Sequence, residues 1–305
     1  MAIFIMLLAA VFAATANLFM RKSIDAGGSP KAFLVLQQGV SIFMAILLNP
    51  VYNSDYTWDT PIASIGLLGG FILGLMMWLL GRALQKGPPG LTFAVLNSAM
   101  IMPAVVMFLL FGFAFGHGYT LWNAFGSSCV LIGLFWAGMG SSQYINKKQW
   151  FFACFAMFFV HICYLVLLQW RALLMKDCYE PTALIPFQAT TQWFLPMVFV
   201  ASTIFQISIF FFSPGKRSVP NKKEVLYGVL GGMFNAGCAF SMVKATEVAA
   251  SWENAMIFPI FAVTVIASCN LWGQLLYREN VNWRASFLCI GGLIVGTVQW
   301  QCIFN

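Results

Sequence analysis

The sequence predicts an all-α integral membrane protein whose ten transmembrane helices form two inverted five-helix repeats. Apolar residues make up 61% of the 305 positions and charged residues 8%, whereas soluble domains have roughly 45–50% and about 25%. The segment AMIMP at residues 99–103 returns 156 positions later as AMIFP at residues 255–259. An apolar chain with a duplicated segment is typical of proteins whose two halves enclose a site near the bilayer midplane.

Ten apolar segments of transmembrane length follow one another along the chain. A helix needs about 20 apolar residues to cross the hydrocarbon core. In chain order, the predicted helices cover residues 2–20, 32–52, 62–80, 91–115, 121–139, 150–170, 190–212, 225–243, 249–276 and 285–304. We expect the first segment to be retained although Ala14-Thr15-Ala16 resembles a signal cleavage site, because Arg21 and Lys22 follow its apolar run instead of preceding it.

The second half of the chain repeats the order of motifs in the first half. Residues 30–37 match 181–188, residues 66–70 match 228–232, and Gly133 and Gly138 match Gly291 and Gly296. Glycines spaced in this way let membrane helices approach closely. The matches predict repeats at residues 1–145 and 146–305, each with five helices. Because five is odd, the second repeat begins on the opposite side of the membrane and is predicted to be inverted.

The basic residues indicate the orientation of the chain. The net charge of +7 comes from short loops between spans, so it favours a membrane orientation and not nucleic-acid binding. One side carries Arg21, Lys22, Lys31, Arg82, Lys86, Lys147, Lys148, Lys216, Arg217, Lys222, Lys223, Arg278 and Arg284. Only Arg171, Lys176 and Lys244 are assigned to loops on the other side. The positive-inside rule therefore predicts a protein of the inner (cytoplasmic) membrane with both termini outside.

Glu253 is the acidic residue that the sequence places within an apolar span, whereas Glu247 is assigned to the short turn after the eighth helix. A charged side chain at the bilayer centre costs about 2.5–3.5 kcal/mol, so such residues are candidates for function. Glu253 lies six residues before Pro259, where it could exchange a proton or balance a cationic substrate. An interfacial glutamate favoured by the helix dipole is the alternative. Asn97 stands in the matching position before Pro103, so one half is expected to handle charge and the other only hydrogen bonds.

Neutral amides are the next candidates for substrate binding. Gln37 and Gln188 are related by the predicted repeat, and Gln192 shares a helix face with Gln188. Asn235 lies in the glycine-rich eighth helix. Two matched glutamines that reach inward would suit a polar substrate, and hydrogen bonding between helices is the alternative.

Aromatic residues and two prolines complete the candidate set. His161 and Tyr164 are one turn apart on the sixth helix; imidazole titrates near neutral pH, and a hydrogen-bonded packing histidine is the alternative. Trp78 could stack on a ring or a cation. Pro103 and Pro259 are placed in the middle of their spans, where each would remove a backbone donor and bend or hinge its helix as part of a gate.

The motif order resembles the drug/metabolite transporter superfamily, EamA-like branch. The residues that carry the likeness are the paired Ala-x-x-x-Pro elements and the ending LLYRENVNWR at 275–284, followed by GGLIVG at 291–296. This resemblance implies a central cavity lined by helices 1–4 and 6–9, with helices 5 and 10 at the periphery. It also implies transport of small metabolites by alternating access.

The expected function is secondary active transport of a small polar or cationic metabolite, with proton or exchange coupling. The alternative is a membrane-embedded enzyme, or a passive channel or scaffold. An enzyme usually needs paired acids, a His/Asp set or a metal cluster, and the sequence has no G-x-x-x-x-G-K-[ST] phosphate-binding loop. We expect no catalytic residue, metal or cofactor. The expected partners are the metabolite and the lipid bilayer, and a homodimer stays open.

Overall fold

The computed structural model describes residues 1–87, 89–112, 117–138, 146–174, 191–212, 220–250, 252–278 and 282–297. Its helices are α1 Ala2–Asp25, α2 Pro30–Ile46, α3 Thr60–Lys86, α4 Pro89–Ser98, α5 Met102–Leu110, α6 Leu121–Gly138, α7 Lys147–Leu174, α8 Phe194–Phe212, α9 Lys222–Val248, α10 Ile257–Tyr277 and α11 Trp283–Thr297. A 3₁₀ turn, Ala99–Ile101, joins α4 to α5, so these two form one interrupted rod. The described residues therefore form ten rods, one on each predicted segment.

The chain is an all-α, multi-pass membrane protein. Within the described ranges, eight rods are long and apolar enough to cross a bilayer. The other two, α6 and α11, contain the shorter apolar stretches Leu121–Trp136 and Trp283–Gly296. The predicted succession of apolar helices is thus confirmed, and eight of its ten members have transmembrane length.

Local sequence signals set several of the helix ends. The Asp59 carboxylate caps α3 by accepting a hydrogen bond from the Ile62 N–H at 3.1 Å. At the start of α9, the Asn221 side chain accepts from the Glu224 N–H at 2.7 Å. The Glu224 carboxylate in turn accepts from the Asn221 N–H at 3.3 Å. This reciprocal capping box satisfies two backbone donors that the first turn of a helix leaves without partners.

The core lies where α1, α2, α3, α7, α8 and α9 pack on one another. Among its fully buried side chains are Met6, Phe33, Met157, Leu165 and Phe199. The α6–α11 pair packs at the edge of this core, mainly through α4 and α10.

The outer surface of the bundle is apolar. Phe151, Phe155 and Phe159 recur every four residues along α7, and each is at least half exposed. In a membrane protein, a row of exposed aromatic side chains at this spacing faces lipid. Lipid tails are as apolar as these side chains, so the side chains need not be buried inside the protein. The polar residues of interest are therefore found on the opposite, inner faces of the helices.

Glycines set the closest approaches between α3 and α8 and between α2 and α9. A Cβ atom on Gly70 would collide with the carbonyl oxygen of Val198, and one on Gly232 would lie 2.7 Å from that of Gln37. Val198 thus meets α3 as Gln37 meets α9. Gln188, which the sequence analysis pairs with Gln37, lies outside the described residues.

Some positions differ from the sequence prediction. Pro259 lies in the first turn of α10, where its missing N–H costs no intrahelical hydrogen bond, so the predicted mid-helix bend is wrong there. Pro103, by contrast, lies in the middle of its span as predicted, in the first turn of α5 and directly after the 3₁₀ turn. Arg171 and Glu247 were both assigned to loops, but they lie inside α7 and α9.

Candidate functional site

A group of neutral polar side chains lies near mid-length between α2 and α9. The Ser41 hydroxyl is 2.9 Å from the carbonyl oxygen of Gln37 and 3.0 Å from that of Gly232. The Asn235 side-chain amide donates to the same hydroxyl at 3.1 Å. Gln37 is 5% exposed and Ser41 is fully buried. The structure therefore joins the candidate Asn235 to Ser41, which the sequence prediction did not single out, and Gln37 takes part through its backbone carbonyl.

His161 connects α7 to the interruption between α4 and α5. Its Nδ1 atom lies 3.0 Å from the carbonyl oxygen of Leu96. Because a carbonyl oxygen only accepts, Nδ1 carries a proton in this contact and donates it to the hydrogen bond. The neighbouring Asn97 donates its side-chain amide to the Phe93 carbonyl at 2.8 Å, within its own helix. His161 and Asn97 thus meet the same break in the helix, and Tyr164 is buried one turn along α7.

A further amide bridges α8 and α3 at a similar depth. The Gln206 side chain donates to the carbonyl oxygen of Gly74 at 3.0 Å and is 3% exposed. Nearby in sequence, the hydroxyls of Ser202 and Thr203 are buried without a hydrogen-bond partner among the described residues, as are both polar atoms of the Gln38 amide. These residues were missed because a lone Ser, Thr or Gln in an apolar run is usually read as helix-helix packing.

Two sequence candidates lie away from the buried group. Trp78 stacks on Arg82, whose Cζ atom is 4.6 Å from the ring centroid, so its cation comes from its own helix. The Gln192 side chain accepts from the Asn53 amide at 2.8 Å in an exposed position before α8. Neither residue contacts Ser41 or His161 in the described structure.

Glu253 holds the start of α1 against the turn that precedes α10. It lies in the turn after α9 and not within a helix, and it is 4% exposed. Its carboxylate accepts from the Ala250 N–H at 3.0 Å, from the Met1 ammonium at 3.3 Å and from the Ile3 N–H at 3.4 Å. Burial raises the pKa of Glu253. These hydrogen bonds and the nearby ammonium charge together lower the pKa by a larger amount, so its net shift is downward. The carboxylate is therefore already engaged by the protein itself.

The most highly charged part of the interior is a cluster that the sequence prediction missed. Arg171 is fully buried, and its Nη2 atom lies 2.6 Å from Oε1 of Glu247. The other carboxylate oxygen of Glu247 is 2.9 Å from Nζ of Lys244, one turn earlier on α9. The guanidinium carbon of Arg171 lies 4.5 Å from the ring centroid of Phe194, the first residue of α8. We call Arg171, Glu247 and Lys244 the ionic cluster.

The position of the ionic cluster explains why it escaped the sequence prediction. Arg171 and Glu247 lie within the last turn of α7 and α9, where an apolar span and a polar loop give the same local pattern. Successive rods alternate in direction, so all described basic residues other than Arg171 and Lys244 lie at the opposite end of the bundle. A signal was present, because Arg171 and Lys244 are isolated on the side that is otherwise poor in basic residues, and Lys244 stands three positions before the acidic Glu247.

Comparison with known proteins establishes the fold and nothing finer. No protein-family model matches the chain, and no curated protein matches it. A solved structure described only as "Crystal structure of protein" is similar over 97% of this chain and 96% of that chain, with a TM-score of 0.72 and 13% sequence identity. At that identity the likeness shows a shared fold alone.

Proposed function

We propose that this protein is a secondary transporter that moves a small polar metabolite across its membrane by alternating access. The observation that supports this most directly is that polar side chains on three helices, the contacting pair Ser41 and Asn235 and the buried His161, lie near the middle of long apolar helices. Polar side chains inside a membrane bundle are expensive and typically line a substrate or ion pathway. Their attachment to three different helices would let substrate binding affect how those helices pack.

The packing of the rods supports the proposal of two related halves. If the first five rods of the chain correspond to the last five, each contact between the two halves needs a counterpart with the roles of the halves exchanged. The contacts of α1 with α9 correspond to those of α7 with α3, and those of α2 with α9 correspond to those of α8 with α3. The contact of α1 with α10 likewise corresponds to that of α7 with α5. Such exchange is expected of inverted repeats that rock around a shared site.

The roles proposed for individual residues follow from their contacts. Asn235 and Gln37 are proposed to bind the substrate beside Ser41, while His161 senses the junction of α4 and α5, where Pro103 would permit hinge motion. Glu253 is assigned to holding α1, because its carboxylate already has three donors. We therefore no longer assign recognition of a cationic group to Glu253. Membership of the drug/metabolite transporter superfamily and an outward position of both termini are proposed on the sequence features alone.

A counterflow assay in proteoliposomes tests the proposed function. Vesicles preloaded with one member of an unlabelled metabolite panel should accumulate the same labelled compound transiently, whereas vesicles without preload should not. Simple equilibration that is independent of preload would indicate a passive channel and contradict the proposal. So would the absence of uptake for every member of a panel that covers organic acids, sugars, nucleosides and amines.

A matched pair of variants then tests the site. Asn235→Ala removes the amide that meets Ser41, and we expect at least a tenfold loss of counterflow. Asn270→Ala is the control, because Asn270 makes an equivalent amide-to-hydroxyl contact of 3.0 Å with Ser286 between α10 and α11. Equal losses in both variants would show that the Asn235 contact serves only helix packing.

A further inference from the structure

The ionic cluster contains one more positive charge than negative charge. Arg171 and Lys244 share the single carboxylate of Glu247, one on each oxygen. Glu247 is the only acidic residue that contacts either of them within the described part of the chain. A buried charge is normally compensated by a partner of opposite sign, so the cluster as it stands favours an additional anion.

The donors of Arg171 point to where that anion would bind. Its side chain is fully buried, yet neither Nε nor Nη1 has a hydrogen-bond partner among the described residues. These two atoms carry three of the five N–H groups of a guanidinium. Buried donors of this strength are rarely left without an acceptor, and the planar guanidinium suits a group with two acceptor oxygens.

We propose that Arg171 binds an oxyanion group, a carboxylate or a phosphate, of the transported substrate. This inference rests on the proposed transport function and adds the chemical class of the substrate to it. The anion would neutralise the excess charge of the cluster and occupy the free donors of Arg171. It replaces the expectation of a cationic substrate, since the described buried interior offers an excess of donors and positive charge at this point.

The arrangement of the cluster lets the anion bind without leaving another charge unpaired. Glu247 holds Lys244 through Oε2 and Arg171 through Oε1. When a substrate oxyanion binds to Arg171, Glu247 keeps Lys244 as its charged partner. The guanidinium is planar, and the ring of Phe194 that lies against it limits its rotation, so the plane of the N–H groups keeps one orientation.

The exposure of the cluster decreases from Lys244 through Glu247 to Arg171. The Lys244 side chain is 38% exposed and that of Glu247 is 17% exposed, whereas Arg171 is completely covered. An anion that approaches from this end of the bundle meets Lys244 first. By the positive-inside count, this is the outer face, so the cluster would receive substrate from outside or release it there.

Anion binding to the purified full-length protein tests the proposal without requiring transport. Thermal unfolding in detergent is measured in sodium phosphate, sodium acetate or ethylammonium chloride, against sodium chloride of equal ionic strength. We expect a saturable rise in the unfolding temperature with phosphate or acetate, because a ligand that binds only the folded state stabilises it. The anion that gives the larger rise distinguishes a phosphate site from a carboxylate site. No rise with either anion, or a rise with ethylammonium alone, overturns the proposal.

Variants assign the binding to Arg171. We expect Arg171→Gln to abolish the anion-dependent rise and Arg171→Lys, which keeps the charge without the planar fork, to reduce it at least fivefold in affinity. Arg82→Gln is the matched control, since Arg82 also stacks on an aromatic ring but does so at the opposite end of the bundle. A rise that persists unchanged in both Arg171 variants places the anion elsewhere.

Counterflow measurements on the wild type and the Arg171 variants distinguish a failure of the anion-site inference from a failure of the proposed transport function. If counterflow occurs in the wild type and is retained by Arg171→Lys and Arg171→Gln at wild-type rates, the protein is a transporter but Arg171 does not bind its substrate. If anions bind at Arg171 but no metabolite shows counterflow, the proposed function fails while the anion site stands.

Discussion

The Glu224 carboxylate accepts a hydrogen bond from the backbone N–H of Ser29 at 2.7 Å, although the two residues are 195 positions apart. The contact fastens the turn between α1 and α2 to the capping box at the start of α9. Asn221 reinforces it by donating its amide to the carbonyl oxygen of Ala26 at 3.2 Å. The first and second halves are thus joined at the end of the bundle that carries most of the basic residues.

Removing the Glu224 carboxylate should loosen this junction. For Glu224→Ala we expect a loss of about 1–3 kcal/mol in the free energy of unfolding. Glu224 is only 2% exposed, and without its carboxylate the Ser29 N–H loses its acceptor and the capping box loses one of its two hydrogen bonds. Unfolding in detergent by a graded denaturant measures the change. The neighbouring Lys223→Ala, at an exposed position, is the control and should unfold at the wild-type midpoint. A Glu224→Ala midpoint equal to that of the control contradicts the expectation.

The contribution of Glu253 should depend on pH. Its pKa in the folded protein is below the 4.5 of an unperturbed glutamate, so its contribution to stability is present above that pH and is lost as the pH falls through the folded pKa. We expect the unfolding temperature of the wild type to fall more between pH 5 and about pH 3 than that of Glu253→Gln. The difference between the two proteins removes the effect of other carboxyl groups. Parallel curves would refute this role for Glu253.

Breaking the ionic cluster at Glu247 should be the most destabilising of these substitutions. Glu247→Gln leaves the buried Arg171 without its charged partner, and the loss is expected to be about 3–5 kcal/mol. The double variant Arg171→Met/Glu247→Leu removes both charges and should recover most of this stability. Chemical unfolding in micelles compares the two. If the double variant were less stable than Glu247→Gln, an uncompensated guanidinium would not be the cause of the loss.

Two glycines of α3 form an internal control for helix packing. Gly70→Ala would press its new methyl group against the backbone of α8, and we expect a loss of about 1–3 kcal/mol. Gly81 has no atom within 4 Å of a Cβ built on it, so Gly81→Ala should leave stability unchanged or raise it by up to about 1 kcal/mol. Thermal unfolding of the two variants side by side measures this difference. Equal unfolding temperatures would mean that the α3–α8 contact can widen at no cost.

Hydropathy and helix-breaking residues were enough to predict every rod, because a bilayer restricts the backbone to continuous helices. They did not predict pairs of residues that meet across the bundle. Arg171 and Glu247 were assigned to loops because hydropathy scores each charge alone, and only packing shows that the two neutralise each other. Glu253 was assigned to a helix for the converse reason, since an apolar neighbourhood in sequence does not distinguish a buried turn from a span.

The contact between His161 and Leu96 makes a change in helix angle at Ala99–Ile101 detectable at the histidine ring. The carbonyl oxygen of Leu96 belongs to α4, and α5 follows after a single 3₁₀ turn. A change in the angle between α4 and α5 that moves this oxygen relative to α7 would break the hydrogen bond from Nδ1. The imidazole ring could then rotate or change tautomer. The nitrogen resonances of one histidine, isotopically labelled, would then report the shape of a helix without any probe attached to it.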